Sequence, residues 1–188
     1  MHVPANDTGR RSEAGLGPIL YDEITINRRV AELGHEICVY YEEGELLLIG
    51  LLKGSFIFLA DLVRNISRSH RVDFCVVSSY GSGTKSSGMV RLLYDPDVAM
   101  EDCHVLLVED VVETGQTLNR LVDMFRERKP RSVEIVTLLH KRVSSALEYE
   151  PRFVGFEAPR EFLVGYGLDH NEKYRHLPFV ASLKGRDG

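Results

Sequence analysis

The thirteen-residue run Val105-Leu106-Leu107-Val108-Glu109-Asp110-Val111-Val112-Glu113-Thr114-Gly115-Gln116-Thr117 holds the densest chemistry in the chain. Two adjacent carboxylates, Glu109 and Asp110, stand at the end of an apolar, strand-like stretch, and a Thr-Gly-x-Thr turn leads from there into a helical pattern. The first amides of a helix lack intrahelical acceptors and lie at the positive end of its dipole, so with two hydroxyls beside them they form a cradle for a phosphate. The carboxylates suit hydroxyl groups or a magnesium ion instead. A strand end with solvated acids and an ordinary threonine cap shares this local composition, so the run needs support from the rest of the chain.

Lys53-Gly54 follows the apolar run Leu46 to Leu52 and offers a backbone amide and a cation, which suits a pyrophosphate; a plain turn with an exposed lysine has the same spacing. Gly81 to Gly88 contains three glycines and three serines without a large apolar residue, the composition of a mobile surface loop. Its Gly83-Thr84-Lys85-Ser86 stretch is not a P-loop, because the residue before the lysine is Thr84 rather than glycine. Lys141 directly follows an apolar strand, where most lysines are solvated. The seven histidines show no metal-ligand spacing, and the three cysteines, Cys38, Cys75 and Cys103, form no CxxC pair.

These groups need a scaffold. Ile26, Val30, Leu33, Ile37 and Tyr40 recur at helical spacing, and the helix they predict ends near Glu42-Glu43-Gly44. Leu46 to Leu52 predicts a strand buried on both faces, followed by a helix through Phe56, Leu59, Leu62, Val63 and Ile66 with Ser55 as its cap. Strands are expected at Val72 to Tyr80, Val90 to Tyr94, His104 to Val108, Val133 to Leu139 and Phe153 to Phe156, with a helix from Thr117 to about Arg128. Shorter extended pieces are expected around Leu163 to Tyr166 and Phe179 to Leu183. Strands alternating with helices imply an α/β fold with a mostly parallel sheet covered on both faces, whose ligands bind at the carboxyl ends of the strands.

The chain has 188 residues, 44% of them hydrophobic, enough for one domain with a real core. Residues 1–18 are poor in large apolar side chains and read as a flexible tail, as do residues 184–188, leaving one domain over 19–183. A formal net charge of −5 argues against nucleic acid as a partner, because that mode of binding relies on a basic surface. No apolar stretch approaches the roughly 20 residues of a membrane helix, so no membrane is expected, and the cysteine usage points to a reducing cytoplasm.

The Glu109 to Thr117 run resembles the phosphoribosyl pyrophosphate motif of the phosphoribosyltransferases. The chain from Ile24 to Leu183 is similar to the hypoxanthine-guanine members of that family, with four further segments in the same order: Leu52 to Phe56, Ser78 to Gly83, Leu139 to Arg142 and Phe162 to Asp169. The resemblance implies a type I phosphoribosyltransferase fold with a small hood built from the N- and C-terminal segments. It implies transfer of ribose 5-phosphate from phosphoribosyl pyrophosphate to hypoxanthine or guanine, with Mg²⁺ as cofactor.

Residue by residue, the resemblance implies that Lys53, Gly54 and Arg175 contact pyrophosphate. Glu109 and Asp110 hold the ribose, and Thr114, Gly115, Gln116 and Thr117 cradle a phosphate of phosphoribosyl pyrophosphate. Lys141 donates to the purine 6-oxo group, Phe162 stacks on the base, and the backbone at Leu163 reads its edge. Asp169 lies near the base 2-position and joins Glu109 and Asp110 in the metal set, while Ser79 and Tyr80 belong to a lid. A homodimer or homotetramer formed near the Lys53 loop is also implied. The chain departs from the pattern at Glu113, where the family carries an aspartate that manages the proton at purine N7. Glutamate keeps the charge but adds a methylene, so reach rather than acidity is at issue. The departure leaves two readings: a working enzyme, or a catalytically weak or inactive nucleotide-binding regulator on the same fold.

Overall fold

The computed structural model describes residues 15–79, 90–142 and 147–187; of 78, 79, 90, 186 and 187 it describes the backbone. Among the described residues the central sheet has six strands: β2 (Leu46–Leu52), β3 (Arg71–Ser79), β4 (Val90–Tyr94), β5 (His104–Val112), β6 (Ser132–His140) and β7 (Phe153–Glu157). Their order is β4-β3-β2-β5-β6-β7, parallel throughout except for the antiparallel β3–β4 edge. This is the mixed α/β architecture expected from the alternation of strands and helices.

β2 is central because it has no polar side chain to keep wet. Leu46, Leu47, Leu48 and Ile49 are each at most 1% exposed. Alternate residues enter opposite cores, Leu46 and Leu48 on one side and Leu47, Ile49 and Leu51 on the other. Helices α1 (Glu23–Tyr40) and α2 (Phe56–Asn65) cover the first core through Ile26, Val30, Leu33, Ile37, Phe58 and Leu62. Helix α3 (Gln116–Arg126) covers the second with Leu118, Leu121, Val122 and Phe125. Asp22 caps α1 by accepting from the Thr25 amide at 2.8 Å. Ser55 does not cap α2 as expected: it is fully buried in a helical backbone state, and its hydroxyl donates back to the Leu51 carbonyl at 2.6 Å.

A second, antiparallel sheet of order β1-β9-β8 forms the hood, from β1 (Leu16–Tyr21), β8 (Glu161–Val164) and β9 (Val180–Asp187). Both tail boundaries therefore shift outward. Leu16, Gly17 and Pro18 belong to β1, Leu16 lies opposite Leu183 of the C-terminal strand, and the Lys184 amide bonds the Gly15 carbonyl at 2.8 Å. Hydrogen bonding between the two chain ends orders segments whose side chains offer little to bury. Residues 1–14 lie outside the described residues, as do Tyr80 and the whole glycine- and serine-rich loop Gly81 to Gly88.

Candidate active site

The turn after β2 and the carboxyl end of β5 meet the segment that follows β8, where an α/β sheet places its ligands: a Cβ on Gly167 would overlap the Gly54 carbonyl, and Asp169 and Arg175 act on Asp110. β5 runs four residues beyond its expected end, because its ladder with β6 continues through Val111 opposite Leu139 and Val112 opposite His140. Glu109 and Asp110 are thus strand residues, and the pleat sends them to opposite sides.

Asp110 faces the turn after β2. The Leu52–Lys53 peptide is cis, and a Cβ on Gly54 would overlap the Asp110 carboxylate, so the loop backbone lies directly on that side chain. Glu109 faces the other way, toward Cys75, whose thiol is pushed up to about 12 by burial first and by Glu109 second. Glu109 Oε2 is buried without a hydrogen-bond partner, and burial, then Asp110, raise its carboxyl well above the usual range. Burial likewise raises Asp110, from 3.8 to about 6, while backbone amides and Arg175 oppose the rise.

The expected metal set is not assembled as one cluster. Among the described residues no three metal-ligating side chains converge, because Glu109 lies across the strand from Asp110 and Asp169 is engaged by Arg175. Asp110 and Asp169, whose charges act on each other, offer the hard carboxylate oxygens that a magnesium ion would take. The Gly54 backbone packs on the Asp110 carboxylate, and the backbone amides of Asp110 and Val111 hydrogen-bond it.

The raised Asp110 pKa has a consequence for stability. Folded Asp110 stays protonated to about pH 6, whereas its ordinary pKa is 3.8, so the ligand-free protein loses stability as pH rises through that window. A shift of this size corresponds to at most about 3 kcal/mol. Asp110→Asn is expected to raise the ligand-free Tm at pH 7.5 and to flatten its decline between pH 4 and 7. Thermal denaturation across that range checks this; an Asn variant less stable than the parent at pH 7.5 contradicts it.

Gly115 stands just before α3 as its N-cap, buried in the left-handed region at φ +71, and no side chain caps the helix. Its first amides are therefore left for a ligand, with Thr114 and Gln116 exposed beside them and Thr117 half-buried. Lys141 is not a solvated strand end. It is 5% exposed, its amide donates to the Val112 carbonyl at 2.8 Å, and its Nζ donates to Glu113 Oε1.

On the hood side, Phe162 is half-buried and meets the edge of His170 at 5.4 Å, and Leu163 is buried. Asp169 Oδ1 pairs with Arg175 Nη2 at 2.8 Å, its Oδ2 accepts the Glu172 amide at 2.8 Å, and Arg175 Nη1 donates to the Gly167 carbonyl at 2.7 Å. Arg175 Nε is buried without a partner. Glu172 bridges Arg175 at 3.5 Å and Lys53 at 3.2 Å, the latter a pair of exposed side chains of little energetic weight.

Glu172 and His170 were not legible as site residues. The only local signal is backbone: Tyr166, Asn171, Glu172 and Tyr174 all have positive φ. The structure thus gathers Lys53, Gly54, Asp110, Asp169 and Arg175 into one group and Glu113 with Lys141 into another. Glu109 lies across β5, Ser79 is described by backbone alone, paired with Val90, and Tyr80 is outside the described residues.

Residues 20–171 match the phosphoribosyl transferase domain model. The chain is 45% identical over 166 residues to a hypoxanthine-guanine phosphoribosyltransferase of Bacillus subtilis (strain 168), covering 88% of this chain and 92% of that protein. The chain belongs to the hypoxanthine-guanine phosphoribosyltransferase family. Membership makes it a transferase. A second member, from Streptococcus pyogenes serotype M3, is 43% identical over 172 residues, covering 92% of this chain and 96% of that one. The crystal structure of a hypoxanthine phosphoribosyltransferase from Staphylococcus aureus superposes with a TM-score of 0.87 at 40% identity, covering 90% of this chain and 92% of that one.

Proposed function

We propose that the protein works in purine salvage, transferring the 5-phosphoribosyl group of phosphoribosyl pyrophosphate to N9 of hypoxanthine or guanine and yielding IMP or GMP with pyrophosphate. The observation that carries this reading is the uncapped start of α3 beside the Lys141–Glu113 pair, a phosphate cradle next to a donor and an acceptor for a 6-oxopurine.

In this reading the amides and hydroxyls of Thr114 to Thr117 bind the 5′-phosphate, and Asp110 and Glu109 orient the ribose from either side of β5. A ribose hydroxyl gives the unpartnered Glu109 oxygen its first hydrogen bond. The Gly54 backbone, Lys53 and Arg175 hold pyrophosphate as negative charge builds on it, and the orphaned Arg175 Nε suits that role. Phe162 stacks on the base, the Leu163 backbone reads its edge, and Asp169 lies by the 2-position. Lys141 donates to the 6-oxo oxygen, and Glu113 accepts the proton from N7. Asp110 and Asp169 would hold a magnesium ion, which would supply neutralising charge at the leaving group. Ser79 and Tyr80 are the lid residues that exclude water.

A homodimer or homotetramer is part of the proposal, supported by Phe56 and Phe74, which are 43% and 38% exposed on the α2 side of the sheet next to the Lys53 loop. A reducing cytoplasm suits the free thiols of Cys38, Cys75 and Cys103, and among the described residues no helix is long and apolar enough to cross a membrane.

The regulator reading rests on Glu113, and its reach to Lys141 speaks for a working site. Incubation with magnesium, phosphoribosyl pyrophosphate and each purine in turn is expected to release pyrophosphate and form the nucleotide. Binding without release would instead support the regulator.

A further inference from the structure

Tyr166 lies in the turn between β8 and Asp169, with a left-handed backbone at φ +50 between Gly165 at φ +99 and Gly167 at φ +102. Its ring is 4% exposed and belongs to the core under α1 and α2. Its hydroxyl crosses to α2 and donates to Asp61 Oδ2 at 2.6 Å, while the other Asp61 oxygen pairs with Arg64. Burial, then the Asp61 carboxylate, push the phenol well above its ordinary value, so the proton stays on the tyrosine.

Two close approaches give this hydrogen bond its reach. A Cβ on Gly167 would overlap the Gly54 carbonyl, and a Cβ on Gly54 would overlap the Asp110 carboxylate. The hood turn thus lies backbone to backbone on the Lys53-Gly54 loop, that loop lies on the Asp110 carboxylate of β5, and a shift of one is passed to the next. α2 starts just after that loop, and Asp61 lies on its second turn. The same turn is tied to the Arg175 segment, through Tyr166 N to Leu177 O at 2.8 Å and Gly167 N to Arg175 O at 3.0 Å.

Resting on the function proposed above, we infer that Tyr166 is a positioning residue, whose hydrogen bond to Asp61 sets the spacing between the pyrophosphate-holding loop and the purine-holding segment. Tyr166→Phe keeps the ring in the core and leaves Asp61 paired with Arg64, so the fold survives. With the tie gone, KM for both substrates is expected to rise about fivefold with kcat changed less than twofold. Amides of residues 53–56 and 165–168 are expected to exchange about fivefold faster, with α3 and β6 unchanged. Asp61→Ala should behave alike, with no further change in the double variant. Asp61→Asn, whose amide oxygen still accepts the hydroxyl, should stay near the parent. A merely structural contact lowers Tm without these effects. Parental exchange at 53–56, or parental KM values for both substrates, overturns the inference. If the unsubstituted protein releases no pyrophosphate, the transfer reading falls instead, and the exchange measurement alone decides the tie.

Discussion

Gly54→Ala is expected to lower kcat/KM for phosphoribosyl pyrophosphate by about 10²-fold or more, mostly through loss of productive binding. The added methyl has nowhere to go. On one side it would lie 2.5 Å from Asp110 Cγ and 2.8 Å from Oδ1, closer than nonbonded carbon approaches either atom. Asp110 cannot yield easily, since it belongs to a strand laddered to β6 and its carboxylate is held by backbone amides. On the other side the Gly54 carbonyl is pressed by Gly167, so the loop cannot retreat into the hood. Lys53 and the Gly54 amide must therefore move along the site, out of register with the α3 amides. Gly167→Ala, at φ +102, should produce the same defect from the opposite face. Steady-state kinetics beside circular dichroism checks both variants; a folded Gly54→Ala protein within threefold of the parent would show that the loop does not carry the pyrophosphate.

The second large effect belongs to Lys141 and Glu113. Lys141→Met fills the same buried volume and leaves only the partly exposed Glu113 without its partner, so stability should change little. Purine turnover should suffer far more, with kcat/KM for the base falling about 10² to 10³-fold while KM for phosphoribosyl pyrophosphate stays within threefold. Glu113→Ala should lower kcat about 10²-fold, the lower end of what a positioned general base contributes. Glu113→Asp separates reach from charge. Its shorter side chain keeps the carboxylate on the Lys141 side, and kcat is expected to hold or rise. A large loss of kcat on that change would mean that the proton at N7 is handled elsewhere. Separate titration of each substrate in a pyrophosphate-release assay distinguishes these outcomes.

Much of the scaffold was legible because its signals are local. The apolar run Leu46 to Leu52 could only be a doubly buried strand, and the helical spacings through Ile26, Leu59 and Leu121 marked the faces that later met β2, β5 and β6. The Thr114 to Thr117 turn was legible for the same reason, since uncapped amides follow from where a helix begins. Composition misled at the chain ends. Leu16 to Pro18 and Lys184 to Asp187 have few side chains to bury, yet backbone pairing with other strands, Leu16 with Leu183 and Asp187 with Glu161, orders them into the hood.

Residue types and their order determined which elements form and which groups carry charge, hydroxyls or a flat apolar face. The tertiary structure alone decided who meets whom. It set Glu109 and Asp110 on opposite sides of β5, stacked Gly167 on Gly54 and Gly54 on Asp110, and brought Glu172 between Arg175 and Lys53. The physical reason is range: periodicity and capping act over a few residues of one segment, whereas the Gly167–Gly54, Gly54–Asp110 and Glu172–Lys53 contacts join segments more than fifty residues apart, whose approach depends on how sheet, helices and hood close around a common core.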